Sequence, residues 1–264
     1  AEIASRRATM SRMSEAVKSA QVVDLRTLRQ SCADCALSQL CLPATITDAD
    51  LQRLDRVVKR RLPIDRGTYL FHEGSEHRSL FVVRSGSLKT SLSLRDGDTQ
   101  LLGFHYPGEI IGLDGVATER HQCSAQALER SNVCEIPYPL LSEIASQLPS
   151  LQQQLLRIMS REFGRSQQHP VMMGRKQAQA RLAIFLRSLS HRFDALGQDG
   201  SVLQLSMSRQ DLANYLGLVI ETVSRLFTRM DAQGIIQVDR KTVRILDHAA
   251  LDAIADGDED DTTG

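Results

Sequence analysis

The feature that most constrains the fold is a series of short β-type runs between Gly67 and Pro139. The runs read TYLF, SLFVVR, SLKTSLSL, QLLGFHY and VCEIP, and glycines separate them. Short strands at nearly regular spacing with glycine turns are typical of a β-roll or sandwich. We therefore predict a β-domain in this part of the chain.

A short helical pattern precedes these runs. Leu51, Leu54 and Val57 recur at helical spacing, with Thr47 as the predicted N-cap and Pro63 as the predicted stop. We therefore predict a short amphipathic helix before the first strand.

Residues 149–175 carry one long helical pattern with a broad apolar stripe. The helix can use a stripe of this width to pack on its own domain alone, or on a second copy as well. Leu156, Met159, Phe163 and Ser166 recur at spacings of three or four residues, so they share one side of the helix. This is the side on which we predict that two copies meet.

Pro170 lies within the same pattern. Its ring lacks an N–H and clashes with the preceding turn, at a cost of about 3 kcal/mol in a helix interior. We therefore expect the long helix to kink or end near His169.

The C-terminal third has the pattern of a helix, a two-helix unit and a hairpin, which is the element order of a winged helix. Ser208–Asp211 fits a capping box that opens the first short helix, and Gly217 makes the turn. On the next helix, Glu221, Ser224 and Arg225 lie opposite the apolar stripe, where they face solvent or DNA. In the major groove arginine can pair with guanine, glutamate with cytosine and serine with either base.

Bulk composition narrows the class of protein. The 264 residues suffice for two domains, and no stretch approaches the ~18 consecutive apolar residues of a membrane span. The first residues lack the apolar core of an export signal, so we expect a cytoplasmic protein with no membrane partner. The chain has 32 basic and 32 acidic residues, which taken alone argues against nucleic-acid binding. Acids cluster at 256–261 and arginines at 175–244, however, so a local basic surface is compatible with the neutral total.

The five cysteines favour metal or redox chemistry over a disulfide framework, because their number is odd and no export is expected. Cys32, Cys35 and Cys41 form a C-x2-C-x5-C motif, and Cys134 lies in the distant VCEIP run. Three thiolates from one loop and a fourth from a strand can close a site for either Zn²⁺ or an iron–sulfur cluster. We interpret Cys123 as a small, partly buried residue without a functional role.

Five sequence segments resemble those of a known protein family. The chain resembles the FNR branch of the CRP superfamily in CADCALSQLCLP, SLFVVRSGSLKT, GFHYPGEIIGLDG, SAQALERSNVCEIP and NYLGLVIETVSRLFTR, from about Cys32 to Leu246. The resemblance implies that Cys32, Cys35, Cys41 and Cys134 are the ligands of an oxygen-labile [4Fe–4S] cluster. It also implies a transcription regulator that forms a homodimer under low oxygen, binds a TTGAT-type inverted repeat in double-stranded DNA and recruits RNA polymerase.

The same resemblance assigns roles on the DNA-binding helices. It implies that Glu221, Ser224 and Arg225 read bases. The phosphate contacts that it implies are Thr222, Arg209 and Arg229. Several positions depart from the relatives, among them Ser166, which replaces an acid that repels its twin across the dimer seam, and Val219, which replaces a hydroxyl residue that caps the recognition helix. The first change favours dimerisation, and the lost cap costs about 1 kcal/mol.

Two other classes of protein fit the sequence less well. A cyclic-nucleotide sensor of the same superfamily needs an arginine for the phosphate, and the corresponding stretch His121–Ala125 has none, so we expect no cyclic nucleotide. An enzyme is not expected, because the sequence has no Walker loop, nucleophile elbow or paired metal-binding motif. The alternatives are the same DNA-binding regulator with a structural zinc site, or a nucleotide-responsive CRP-like regulator.

The predicted fold class is α+β, with an N-terminal cyclic-nucleotide-binding-like β-roll, a long dimerisation helix and a C-terminal winged helix-turn-helix. The predicted boundaries are 1–31 for a mobile arm, 32–148 for the cluster-binding loop and β-roll, 149–175 for the dimerisation helix, 176–250 for the winged helix-turn-helix and 251–264 for an acidic tail.

Overall fold

The structure, a computed structural model, describes residues 32, 35, 37, 41, 47–60, 63–174 and 177–257. The predicted N-terminal arm and the end of the predicted acidic tail lie outside these residues. Within them a β-domain is followed by a long helix and a mostly helical second domain. The predicted α+β class and the order of its parts are therefore confirmed.

The β-domain is built from two antiparallel sheets. Its strands are β1 (Lys59–Arg60), β2 (Tyr69–Phe71), β3 (Ser79–Ser85), β4 (Leu88–Ser93), β5 (Thr99–His105), β6 (Ile110–Ile111), β7 (Ser124–Ala127) and β8 (Asn132–Pro137). The first sheet has the order β1-β8-β3-β6 and the second the order β2-β7-β4-β5. All five predicted runs form strands, whereas β1, β6 and β7 were not predicted. β1 and β6 have only two residues each, which is too short to produce a recognisable pattern.

Alternation along the central strands separates two apolar layers. In β3, Phe81 packs between the two sheets, while Leu80 packs on the opposite face of the first sheet, which helices cover and which we call its helical side. In β8, Val133 lies between the sheets and Cys134 lies on the helical side. The period of two therefore decides which face of the sheet carries the distant cysteine.

Three helices cover the helical side of the first sheet. They are α1 (Asp48–Val57), α2 (Tyr138–Gln147) and α3 (Pro149–Met173). Leu54, Leu141 and Leu151 bury their side chains in one cluster with the sheet. Thr47 precedes α1 as predicted, but its hydroxyl contacts the Asp50 carboxylate rather than a backbone N–H, so the predicted side-chain cap is wrong.

Pro170 does not end α3. The helix continues to Met173, so the predicted end near His169 is wrong. Proline removes one backbone hydrogen bond, but tertiary contacts hold the last turn. The His169 Nε2 atom lies 2.9 Å from the Tyr215 carbonyl oxygen, and Met172 is buried. Packing against the second domain therefore offsets the local cost of the proline.

The second domain is a winged helix. Its helices are α4 (Ala178–Ala195), α5 (Arg209–Leu216), α6 (Ile220–Ala232) and α7 (His248–Asp256). Its three-stranded sheet has the order β10-β11-β9 and consists of β9 (Val202–Gln204), β10 (Ile236–Asp239) and β11 (Thr242–Ile245). Leu182, Leu212 and Leu251 are buried in one core, which therefore extends from α4 to α7. The predicted order of helix, two-helix unit and hairpin is confirmed.

Candidate functional site

Four of the five cysteines come together on the helical side of the first sheet. Cys32, Cys35, Cys41 and Cys134 line a single cavity, and each is partly exposed. The other side chains that line the cavity are five aliphatic residues and one arginine, namely Leu37, Leu54, Val58, Val82, Ile136 and Arg84. The structure thus brings together the cysteine motif and the distant cysteine that the sequence singled out.

Two hydrogen bonds anchor the cysteine loop to the helices around it. Asp55 of α1 accepts a hydrogen bond from the Cys32 backbone N–H at 3.0 Å. Gln154 of α3, which is only 3% exposed, donates to the Cys41 carbonyl oxygen at 3.1 Å. The sequence did not indicate either residue, because each acts on a segment far from it along the chain.

Burial in the cavity disfavours the thiolate form of Cys32. Burial, and after it the neighbouring Asp55 carboxylate, raises the pKa of the Cys32 thiol to about 12. Such a thiol ionises when a metal takes the sulfur as a ligand, because the positive charge of the metal stabilises the thiolate. Four soft sulfur ligands within aliphatic walls fit iron–sulfur or zinc chemistry.

The thiols lie near one another in this cavity, since Cys41 and Cys134 are among the groups that raise the pKa of the Cys32 thiol. In the part of the chain that the structure describes, no three His, Cys, Asp or Glu side chains are arranged to hold a metal ion. The cavity nevertheless brings together the four cysteines that a metal centre would need.

The predicted recognition face lies on the exposed side of α6. Glu221, Ser224 and Arg225 are exposed, whereas Val223 and Met230 on the other side are fully buried. Their i, i+3 and i+4 spacing places the three polar side chains on one face of the helix. This arrangement can present base-reading groups to a major groove.

Helix α5 begins with the predicted capping box. The Ser208 hydroxyl accepts the Asp211 N–H at 3.0 Å, and the Asp211 carboxylate accepts the Ser208 N–H at 3.1 Å. Gly217 ends the helix at a φ of 62°, and an added Cβ there would collide with the Met173 side chain. Val219 makes no side-chain hydrogen bond at the start of α6, so that cap is lost as expected.

The three residues predicted to contact phosphates have different surroundings. Thr222 is half-buried and Arg229 is exposed. The Arg209 guanidinium lies 3.5 Å from the centroid of the Phe227 ring, and burial lowers its pKa. This cation–π contact braces α5 against α6.

The side of α3 that was predicted to meet a second copy is open to solvent. Phe163 is 64% exposed, Leu156 61% and Met159 50%, and Ser166 is exposed as well. Leu151, on the opposite side of the helix, is completely buried against the β-domain. Exposed apolar side chains grouped in this way are typical of surfaces that contact another chain.

Glu109 is the centre of a charge network that the sequence did not indicate. Its carboxylate, which is 5% exposed, lies 3.2 Å from Arg165 of α3 and 3.7 Å from Arg192 of α4. Arg192 also donates to the Phe104 carbonyl oxygen of β5 at 2.9 Å. The network links the β-domain, the long helix and the winged helix. In the sequence, Pro107-Gly108-Glu109 indicated only a turn, so the role of Glu109 could not be predicted.

Comparisons with known proteins place these features in a family. The Crp-like helix-turn-helix domain matches residues 180–254, and the cyclic nucleotide-binding domain matches residues 61–147. The transcriptional activator protein Anr of Pseudomonas aeruginosa is 46% identical over 239 residues, which are 90% of this chain and 98% of the relative. The chain belongs to the CRP/FNR superfamily. It is a DNA-binding transcriptional activator of the FNR/Anr type, and this family is not enzymatic.

Further members of the CRP/FNR superfamily agree with this assignment. The fumarate and nitrate reduction regulatory protein of Vibrio cholerae is 42% identical over 224 residues, which are 85% of this chain and 90% of the relative. The solved structure of FixK2 from Bradyrhizobium japonicum has a TM-score of 0.69 and 25% identity, and the match covers 75% of this chain and 97% of that chain. Among the described residues, each helix falls short of the length and apolar character needed to span a bilayer.

Proposed function

We propose that this CRP/FNR protein senses oxygen through a [4Fe–4S] cluster held by Cys32, Cys35, Cys41 and Cys134. The observation that carries the proposal is the single cavity on which the four thiols converge. When bound, the cluster supplies iron and sulfide that oxygen can attack. The chain supplies the four ligands and an aliphatic wall, and the positive charge of Arg84 offsets the negative charge of the thiolates.

The similarity to FNR-type regulators is what favours a cluster over a single zinc ion. A Zn²⁺ ion would draw the four sulfurs to about 2.3 Å from one point, whereas a cluster interposes its own iron and sulfide atoms between the thiolates. The absorption spectrum of the anaerobic protein distinguishes the two centres.

The contacts of α3 support a coupling between the cysteine loop and dimerisation. Gln154 bonds the Cys41 carbonyl oxygen from the buried side of the helix. Phe163 and Leu156 project from the exposed side of the same helix. We infer that a folded cysteine loop holds α3 in place for a second copy, so that low oxygen favours the homodimer.

The dimer would bind an inverted repeat with TTGAT-type half-sites about one helical turn apart. Glu221, Ser224 and Arg225 are the proposed base readers. The proposed phosphate contacts are Thr222, Arg209 and Arg229. Recruitment of RNA polymerase would use exposed loops of the β-domain, such as the turn at Gly97 and Asp98 between β4 and β5.

We do not expect the β-domain to bind a cyclic nucleotide. Such a site needs an arginine that binds the phosphate, and the corresponding residues 121–125 contain no arginine. The Asp114 carboxylate instead accepts the Gln122 N–H at 2.7 Å and lies 3.6 Å from the His121 Nδ1 atom. A carboxylate at this point repels an anionic phosphate.

Anaerobic purification followed by exposure to air tests the proposed cofactor. We expect a brown protein with iron–sulfur absorption that bleaches in air, together with loss of the dimer and of DNA binding. A colourless protein that retains zinc and binds DNA equally well with and without air would overturn the proposal in favour of a structural zinc site.

Substitution of two arginines on α6 tests the base-reading assignment. Arg225→Ala should weaken binding by roughly 1–3 kcal/mol and relax the preference for guanine at one position, because a bidentate contact is lost. Arg229→Ala should weaken binding to all sequences alike, because a phosphate contact carries no base information. Affinities for a set of single-base variants of the site measure both effects, and a uniform loss in both mutants would contradict the assignment.

A further inference from the structure

Polar contacts fix the helix-turn-helix to the β4–β5 hairpin of the β-domain. Lys89 of β4 forms an ion pair with Asp211 of α5 at 2.6 Å, and the two side chains are only 20% and 18% exposed. Asn214, about one turn further along α5, accepts the Leu101 N–H at 2.7 Å and donates to the Thr99 carbonyl oxygen. We name these contacts the α5 clamp.

Asn214 completes the edge of a sheet. Strand β5 is the last strand of its sheet, so its outward N–H and carbonyl groups need partners from outside the sheet. The side-chain amide of Asn214 supplies both an acceptor and a donor, as a neighbouring strand would. Its two bonds therefore tie α5 to one register along β5.

An apolar contact supports the clamp from one side. Leu101 and Phe104 of β5 are 3% and 4% exposed and belong to the same core as the winged helix. The ring of Phe104 lies 5.1 Å from that of Tyr215, which follows Asn214 in α5. The two domains thus meet in a packed interface, and the polar contacts decide how α5 is aligned within it.

The clamped arrangement leaves the functional surfaces accessible. Glu221, Ser224 and Arg225 on α6 are exposed, and so are Leu156 and Phe163 on α3. The clamp therefore masks neither the recognition face nor the proposed dimer face. The connection between α3 and α4 is four residues long, and it limits the separation of the two domains but does not by itself select one orientation, so contacts such as the clamp have an orientation to define.

We propose that the α5 clamp is a positioning device that aligns the two recognition helices of a dimer with both half-sites of an inverted repeat. Lys89 and Asn214 are positioning residues in this account, because they act through α5 and not on DNA. The inference rests on the proposed dimeric binding mode. A dimer binds both half-sites together only when its two winged helices have the right spacing and orientation, whereas a single half-site needs only one winged helix.

The test compares two duplexes, one with the full inverted repeat and one with a single half-site. Lys89→Met keeps the side-chain stem and removes the charge, and Asn214→Asp keeps the acceptor for Leu101 while replacing the donor with a repelling oxygen. We expect each variant to bind the full repeat about tenfold more weakly, because the competent orientation is less populated. Binding to the single half-site should stay within about twofold of the wild type.

Arg78→Met is the matched control, since it removes a cation from the same domain but from an exposed ion pair with Glu76. It should leave both affinities unchanged. An unchanged or stronger affinity of the Lys89→Met protein for the full repeat would overturn the clamp. So would an equal loss on both duplexes, because that would mean damage to the helix-turn-helix fold itself. If the wild type binds the full repeat no better than the single half-site, the proposed dimeric binding mode is wrong, and the clamp proposal fails with it. If the wild type prefers the full repeat and the variants keep that preference, only the clamp proposal is overturned.

Discussion

The Cys134→Ser protein is expected to contain almost no iron or sulfide when it is purified without oxygen. The substitution changes one atom on a strand at the centre of the first sheet, so the fold should be retained. A serine hydroxyl is a harder ligand than a thiolate and does not ionise readily, so the site loses its fourth ligand. Iron and sulfide analysis with an anaerobic absorption spectrum measures the effect, and the variant should bind the inverted repeat as weakly as air-treated wild type.

Cys123→Ser provides the control for this experiment. Cys123 is 6% exposed and lies in the apolar cluster between the two sheets, away from the cavity. Burial, and then the nearby Asp114 carboxylate, raises the pKa of its thiol, so it is an unreactive residue. We expect wild-type iron and sulfide content in this variant. Equal iron and sulfide in the Cys134→Ser and wild-type proteins would refute the assignment of Cys134 as a ligand.

The Phe163→Ala protein is expected to be a monomer even when it is purified without oxygen. Phe163 is the largest side chain on the exposed face of α3 and is 64% exposed in a single chain. If two copies bury it, truncation should cost about 3–5 kcal/mol per copy, the scale measured for buried phenylalanine. Sedimentation of the anaerobic protein reports the oligomeric state, and binding to the full inverted repeat should be lost with the dimer.

Leu140→Ala is the control for the dimer face. Leu140 is also a large apolar residue, 43% exposed, but it lies on α2 instead of α3. Its truncation should leave the dimer intact. A dimeric Phe163→Ala protein would show that two copies do not meet along this side of α3.

Local patterns predicted the elements whose hydrogen bonds close within a few residues. The capping box at Ser208 and Asp211 is one example, because its two bonds span only three positions. The two faces of α6 are another, because helical spacing alone separates Glu221 from Val223. The β-type runs were predicted on another basis, from strand-forming residues at nearly regular spacing with glycines between them, which can be seen without knowing how the strands pair.

Local rules failed where tertiary contacts outweigh them. Pro170 has a real local cost, yet α3 continues past it because His169 and Met172 pack against the second domain. At Thr47 the N-cap rule failed for a local reason, because the hydroxyl bonds the Asp50 side chain three residues further on instead of a backbone N–H. The sequence shows which groups could form a hydrogen bond or a packing contact, but it does not show which of them lie close enough to do so.

By itself the sequence predicted the five longer β-type runs, the long helix, the two-helix unit, the C-x2-C-x5-C motif and the exposed polar face of α6, because each is set by spacing within one segment. Only the tertiary structure decided that Cys134 shares a cavity with that motif, that Gln154 ties the motif to α3, and that Asn214 completes the edge of β5. These contacts join residues far apart along the chain. Their existence depends on how sheets and helices pack, which no local period or cap specifies.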